Sequence, residues 1–211
     1  MKRINRSLKT GIDAIEIDLR LTKDQQLIVH HGPKIKANNQ TAVRIKDKTL
    51  KDLKTIAPNL LTLEQAANLV LKESSLELVL DCKGRGWSKS LVRYLEGWNQ
   101  SGYDTNRIIA LSFYGWDLYK LKKAYPASRT YFLFRYMLFF HLMVCRLIRA
   151  EGSGYNWLFT WRPLVWFSHQ HNLKLYYYTV NNLGQAAKYS KHRVDYLCTD
   201  YPETIGKRLR R

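Results

Sequence analysis

Three short segments of the sequence end apolar runs with side chains that could do chemistry. Glu16 and Asp18 close the first run, His31 follows the second, and Asp81 and Lys83 close the third. Side chains alternate across a β-strand, so residues two positions apart share one face. Three carboxylates on neighbouring strands would offer oxygen ligands to a hard divalent cation. A histidine and a lysine beside them would suit acid–base chemistry on a phosphate group.

The elements that would position these residues form a repeating pattern of apolar runs and helical segments. Strands are predicted over 12–18, 27–31, 76–82, 108–113, 129–134, 173–180 and 196–199, and helices over 63–71, 87–98, 116–125, from Pro163 onward, and over 183–191. Helices between buried strands predict a parallel α/β fold. Seven or eight strands favour a closed TIM (β/α)8-type barrel, in which active sites lie at the carboxyl ends of the strands. No linker interrupts the chain, so residues 1–211 are predicted to form one domain.

The composition fits a globular protein that attracts anions. Hydrophobic residues make up 45% of the 211 residues, and 35 Lys and Arg against 17 Asp and Glu give a net charge of +18. Nucleic acid, anionic lipid headgroups and phosphate substrates are the candidate ligands for such a charge. The basic residues are spread along the chain and form no basic helix, so we expect no nucleic-acid partner. A nucleic-acid binder would instead lose affinity steeply with salt and need no metal.

The cysteines and the amino-terminal residues indicate a compartment. Cys82, Cys145 and Cys198 are odd in number, far apart and without paired zinc spacing, so no disulfide framework is expected. The first nine residues are too polar for a signal peptide. We therefore predict a reducing, cytoplasmic location.

An aromatic and apolar stretch covers residues 131–148. It includes Arg135, His141 and Arg146, which would be costly at the centre of a bilayer. The stretch therefore favours a buried or interfacial helix over a spanning one. Together with the positive charge it predicts peripheral membrane contact through 131–148, although a partner-binding face would have the same composition.

Six motifs in a fixed order resemble those of the glycerophosphodiester phosphodiesterase family. They are GIDAIEIDL at 11–19, TKDQQLIVHH at 22–31, LELVLDCK at 76–83, LSF at 111–113, YTVN at 178–181 and VDYLCTDYP at 194–202. The resemblance runs from about residue 5 to the end and is weakest between 127 and 172. Each motif alone is moderately specific, whereas the ordered set is strongly specific.

The resemblance implies a TIM barrel that hydrolyses glycerophosphodiesters to glycerol 3-phosphate and an alcohol, with one divalent cation, Mg²⁺ or Ca²⁺. By this resemblance the metal ligands are Glu16, Asp18 and Asp81. His31 would be the general acid for the leaving alkoxide, and Lys83 would hold a phosphate oxygen.

The expected substrates are small phosphodiesters or lysophospholipids. Tyr178 stands where the family has a tryptophan and would line the substrate pocket. Asn181 and Asp200 would support the site from behind its contacting residues.

Three departures from the family qualify this expectation. Gly32 replaces an Asp after the second histidine, and Asp81 replaces a Glu. The family also begins with a strand ending in His-Arg-Gly, followed by a Glu-Asn pair, and neither occurs in the residues printed above. The expected barrel therefore lacks its first strand and has an exposed edge on each side of the gap. Either the protein continues upstream, or it is an impaired relative that binds phosphate or an anionic membrane surface without turnover.

Overall fold

The protein is described by a computed structural model over residues 2–8, 10–36, 41–134, 141–159 and 162–209. Its strands are β1 (Ala14–Leu21), β2 (Leu27–Val29), β3 (Lys34–Ile35), β4 (Val43–Arg44), β5 (Glu77–Cys82), β6 (Ile108–Ser112), β7 (Arg129–Phe134), β8 (Gly152–Asn156), β9 (Lys174–Tyr178) and β10 (Tyr196–Leu197). Eight of them form one sheet in the order β10-β9-β8-β7-β6-β5-β1-β2. All neighbours from β10 to β1 are parallel, and only β2 runs antiparallel, against the end of β1.

Helices alternate with these strands. They are α1 (Lys2–Ser7), α2 (Leu50–Ile56), α3 (Leu63–Ala67), α4 (Ser88–Gln100), α5 (Gly115–Ala124), α6 (His141–Leu147), α7 (Arg162–Gln170), α8 (Leu183–Lys191) and α9 (Pro202–Leu209), with a π-helical turn over Asn68–Lys72 and short 3₁₀ turns over Ile45–Asp47, Thr105–Arg107 and Trp157–Phe159. Thr62 caps α3, accepting a hydrogen bond from the Gln65 amide in a capping box. The alternation confirms the predicted α/β barrel-type fold.

Two apolar layers lie on opposite faces of the sheet. In β1, Ile15, Ile17 and Leu19 are buried against the outer helices, whereas Glu16 and Asp18 point to the concave side. The concave side holds a smaller apolar cluster of Val79, Ile109, Leu111, Tyr131, Leu133 and Tyr176. Alternation along each strand thus separates the helix-facing core from the barrel interior.

A segment between β2 and α3 forms a small unit that the sequence patterns did not predict. β3 and β4 pair as a two-stranded sheet, and α2 follows them. Their side chains bury a third cluster of Ile28, Ile35, Ile45, Leu53 and Leu60. Strands of two residues carry too little alternation to be recognised from sequence.

The strand predicted over 129–134 is confirmed, and the helix predicted within the stretch 131–148 is described from His141 onward. Residues 131–134 belong to β7, where Tyr131 and Leu133 fill the barrel interior, and α6 begins only at His141. Aromatic side chains favour strands, which explains why this part joins the sheet. The remainder of the prediction, residues 135–140, lies outside the described residues. In the described parts of the chain, every helix is too short or too polar to cross a lipid bilayer.

The sheet curls but its two ends do not pair within the described chain. β10 pairs with β9 alone, and the first half of β1 pairs with β5 alone, because β2 covers only Leu19–Leu21. This agrees with the expectation of an exposed edge on each side of a gap.

Candidate active site

Three carboxylates meet where β1 and β5 lie side by side. The parallel register pairs Asp18 with Asp81 and places Glu16 two residues earlier on the same face of β1. One carboxylate oxygen from each of the three residues lies within 4.8 Å of the others. Adjacent strands with the same alternation therefore bring together the three acids that the sequence singled out.

Lys83 closes this group from the end of β5. Its Nζ lies 3.1 Å from Asp18 Oδ1 and is also hydrogen-bonded to Asp81 Oδ2. Burial of Lys83 works against its charge, but the neighbouring carboxylates outweigh it and raise the pKa of the ammonium. Burial raises the pKa of Asp81 to about 6, against the opposing effect of Lys83. The single positive charge of Lys83 thus balances only part of the negative charge of the three acids.

Two residues that the sequence interpretation overlooked hold Glu16. The Tyr176 hydroxyl donates to Glu16 Oε2 at 2.6 Å, and the Cys198 thiol donates to the same oxygen at 2.9 Å. Burial raises the pKa of both groups, so both keep the proton that they donate. The signal for Tyr176 was its position two residues before Tyr178, which puts both on one face of β9. Cys198 packs against the interior apolar cluster and also contacts the acid group.

A cavity of about 310 Å³ opens over the acids, and the remaining predicted site residues line it. His31, Phe113, Tyr178 and Asp200 line it together with the acids and Lys83. His31 is exposed, and the Arg20 guanidinium holds its loop by donating to the His31 carbonyl at 2.7 and 3.2 Å. All six predicted site residues therefore border one cavity.

Tyr178 lines the cavity, and Asn181 lies behind its wall, as the resemblance implied. The Tyr178 hydroxyl donates to the Phe134 carbonyl at 2.8 Å, and its ring meets the Phe113 ring edge-on at 6.2 Å. Tyr178 thus offers an aromatic surface to the cavity rather than a free hydroxyl. Asn181 donates to Asp200 Oδ2 at 2.8 Å and so fixes a carboxylate at the cavity wall.

The donor set fits a hard divalent cation. Carboxylate oxygens are preferred ligands of Mg²⁺ and Ca²⁺. Asp81 Oδ1 is buried and has no hydrogen-bond partner, although a buried polar atom ordinarily has one. A cation among the three acids would give that oxygen a partner.

Comparisons with known proteins give a family and relatives that this chain resembles. Residues 1–204 match the Glycerophosphoryl diester phosphodiesterase family. A glycerophosphodiester phosphodiesterase of Caldanaerobacter subterraneus subsp. tengcongensis is 25% identical over 225 residues, covering 98% of this chain and 89% of its own.

Solved structures show the same fold. The structure of an Oleispira antarctica phosphodiesterase in complex with the product sn-glycerol-3-phosphate superposes with a TM-score of 0.88 at 17% identity, covering 100% of this chain and 90% of that one. A glycerophosphodiester phosphodiesterase from Thermotoga maritima gives 0.78 at 18% identity, covering 98% and 89%.

Proposed function

Because the chain belongs to the glycerophosphoryl diester phosphodiesterase family, we propose that it hydrolyses glycerophosphodiesters with one divalent cation held by Glu16, Asp18 and Asp81. The observation that carries this proposal is the convergence of three carboxylate oxygens within 4.8 Å, in a group whose buried Asp81 has one oxygen, Oδ1, without a hydrogen-bond partner. The products would be glycerol 3-phosphate and an alcohol.

The charges of the site suit the stabilisation of a phosphoryl group during transfer. A bound divalent cation supplies positive charge that stabilises the phosphoryl oxygens. Lys83 already lies against Asp18 and Asp81, so its ammonium would hold a phosphate oxygen beside them. Two fixed positive charges on one phosphate favour the transition state, in which negative charge on the oxygens increases.

His31 is placed to serve the leaving group. Its side chain borders the same cavity as the acids and is exposed enough to exchange protons with water. A departing alkoxide is strongly basic, so protonation as it leaves lowers the barrier, typically by about 10²–10⁴-fold. We assign His31 the role of that general acid.

The test is release of glycerol 3-phosphate from sn-glycero-3-phosphocholine. We expect turnover that stops when the cation is removed by a chelator and returns with Mg²⁺ or Ca²⁺. The Asp81→Asn variant should remain folded and stay inactive when cation is restored. Turnover that survives both the chelator and this substitution would refute the proposal.

We further propose that the substrate range includes lysophospholipids and that the protein contacts anionic membranes through α6, the described helix within residues 131–148. Met143 and Leu147, one turn apart on α6, are 61% and 74% exposed, and Trp166 on the neighbouring α7 is 64% exposed. Ring contacts between His141 and Phe167 join the two helices. Apolar side chains on a strongly basic protein are typical of interfacial binding.

Vesicle sedimentation separates this surface from charge alone. Wild type should sediment with vesicles of anionic lipid more than a Met143→Glu, Leu147→Glu double variant, while both hydrolyse glycerophosphocholine equally. Equal sedimentation would show that the apolar pair takes no part.

We also propose a cytoplasmic location. It is supported by Cys82, Cys145 and Cys198, which form no disulfide bonds.

The alternative function, binding of phosphate without turnover, has one observation in its favour. Among the described residues that line the cavity, His31 is the only histidine. Phosphate or glycerol 3-phosphate that binds in the presence of cation, without any product release from glycerophosphodiesters, would establish this alternative.

A further inference from the structure

His31 lies just beyond the end of a pair of strands. β1 and β2 pair antiparallel, and the pair nearest to His31 joins Leu19 to Val29. The His30 amide adds one further hydrogen bond, to the Asp18 carbonyl at 2.9 Å. His31 itself belongs to the loop between β2 and β3. Because regular strand pairing stops before this loop, the position of His31 depends on other contacts.

The side chain of Arg20 supplies such a contact. Its Nη2 and Nε donate to the His31 carbonyl oxygen at 2.7 and 3.2 Å. The guanidinium is a planar and rigid fork, so two donors on one acceptor fix both the distance and the direction of the loop. Arg20 follows Asp18 by two residues on β1, and both side chains therefore lie on one face of the strand. One strand thus carries two of the predicted metal ligands and the group that holds the predicted general acid.

The guanidinium of Arg20 is itself confined. A Cβ built on Gly84, the residue after Lys83, would lie 3.8 Å from Arg20 Nη1. Burial lowers the pKa of Arg20, but an arginine stays charged in a protein. Arg20 therefore extends from β1 to the loop after β2 on one side and to the residue after Lys83 on the other.

Arg20 does not border the active-site cavity. The described residues that line this cavity include Asp18, His31 and Lys83, but Arg20 is not among them. An effect of Arg20 on a bound phosphodiester therefore passes through a neighbour. A general acid has to lie within about 2.6–3.2 Å of the oxygen that it protonates. A displacement of about 1 Å can lower a rate by about 10²-fold.

We propose that Arg20 is a positioning residue, which holds the loop of His31 so that the imidazole reaches the leaving oxygen. His31 gives its proton to the alcohol oxygen as the bond between that oxygen and phosphorus breaks. This role rests on the proposed function, because it requires His31 to be the general acid. An arginine that served only the fold, or that held the phosphate directly, would affect all phosphodiester substrates alike.

The test compares two substrates that differ only in the leaving group. sn-Glycero-3-phosphocholine releases choline, whose strongly basic alkoxide needs a proton as it departs. The 4-nitrophenyl ester of glycerol 3-phosphate releases a weakly basic nitrophenolate, which departs without one. Unfolded molecules lower the kcat of both substrates by the same factor. The ratio of the two kcat values therefore reports on the acid and not on the folded fraction.

Arg20→Met is expected to lower kcat on glycerophosphocholine by about 10–10²-fold and on the nitrophenyl ester by less than about twofold. His31→Ala should show the same selectivity with a loss of about 10²–10⁴-fold on glycerophosphocholine. Adding Arg20→Met to His31→Ala should cause no further loss, because the two residues act as a unit. Arg20→Lys should restore part of the ratio, since its ammonium donates to the same carbonyl without the fork.

Arg93→Met is the matched control. Arg93 Nη2 donates at 3.5 Å to the carbonyl of Gln25, in the loop between β1 and β2, and Arg93 is not among the described residues that line the active-site cavity. This variant should keep the wild-type ratio of kcat values.

Three results would overturn the positioning role: an unchanged ratio in Arg20→Met, an equal loss on both substrates, or a further loss in the double variant. A wild-type ratio in His31→Ala would instead refute the general acid of the proposed function, and the role of Arg20 with it.

Discussion

The two ends of the barrel interior each hold a glutamate bonded to a tyrosine, yet they differ in charge balance. At the amino end, Glu77 accepts from Tyr196 at 2.7 Å and pairs with Arg129 at 2.5 Å. At the carboxyl end, Glu16 accepts from Tyr176, but Asp18 and Asp81 add two more acids against the single Lys83.

This difference separates a structural network from a ligand site. At the amino end, one cation meets one anion and the hydrogen bonds close into a ring, since Arg129 also donates to Tyr196 at 3.0 Å. Burial opposes the charge of Arg129, but Glu77 outweighs it and raises the pKa of the guanidinium. The carboxyl end keeps a surplus of negative charge and an unpartnered oxygen. Such a surplus favours the binding of a cation or the protonation of one of the acids.

The largest effect on turnover is expected from replacing each of the two glutamates separately by glutamine. Glu16→Gln removes one ligand charge and should lower turnover by about 10³-fold with little change in stability. Glu77→Gln leaves Arg129 without its anion and should lower the free energy of unfolding by about 1–3 kcal/mol, with turnover per folded molecule unchanged. Steady-state kinetics and denaturant unfolding on both variants measure the contrast. Equal loss of turnover in the two variants would contradict the assignment of a ligand site to the carboxyl end and a structural network to the amino end.

Lys83→Met is expected to change cation affinity and turnover in opposite directions. Without the ammonium, the acids present more negative charge, so cation affinity should rise by about tenfold. Turnover should fall by about 10²-fold, because a phosphate oxygen loses its partner. Calorimetric titration measures the cation affinity of this variant, and steady-state kinetics measures its turnover. A variant that binds cation more weakly would show that Lys83 supports the site rather than competing for it.

The raised pKa of Asp81 predicts that the stability of the protein depends on pH through the carboxyl end. A carboxyl whose pKa rises on folding from 3.8 to about 6 favours the folded state fully below pH 4, and this contribution is lost as pH rises through 6. Two pKa units correspond to about 3 kcal/mol. In cation-free buffer, the stability of wild type relative to Asp81→Asn should therefore decline between pH 4 and 6. A difference that stays constant across this range, in urea unfolding, would contradict the prediction.

The smallest effect is expected from the matched tyrosines. Tyr176→Phe removes a donor to Glu16 and should weaken cation binding by about tenfold, because partners of metal ligands set their orientation. Tyr196→Phe should leave cation binding unchanged and cost about 1 kcal/mol of stability. If Tyr176→Phe binds cation as tightly as wild type does, the hydroxyl contributes packing only.

The acid group could be predicted because its parts lie at strand ends with regular alternation. Glu16 and Asp18 share a face by spacing alone, and parallel register then brings Asp81 beside them. The contact between Tyr176 and Glu16 joins residues 160 positions apart. Pairing of such distant residues depends on how the sheet curls, which local patterns do not contain.

β8 shows why one strand escaped prediction. Its sequence from 152 to 156 begins Gly-Ser-Gly, a composition that strands ordinarily avoid. A Cβ on Gly154 would lie 2.3 Å from Leu133 Cδ2, and one on Gly152 would lie 2.9 Å from the Tyr131 ring. Large side chains on β7 therefore fill the interior in front of β8, and only glycine fits opposite them. The apolar residues Trp157–Phe159 that follow this strand form a 3₁₀ turn.

Calorimetric titration of Ca²⁺ and Mg²⁺ into wild type, Glu16→Gln and Glu77→Gln tests the central claim most directly. We expect one cation to bind per molecule of wild type and of Glu77→Gln, and we expect Glu16→Gln to lose this binding. Equal binding by Glu16→Gln and wild type would contradict the assignment of the carboxyl-end acids as the metal site.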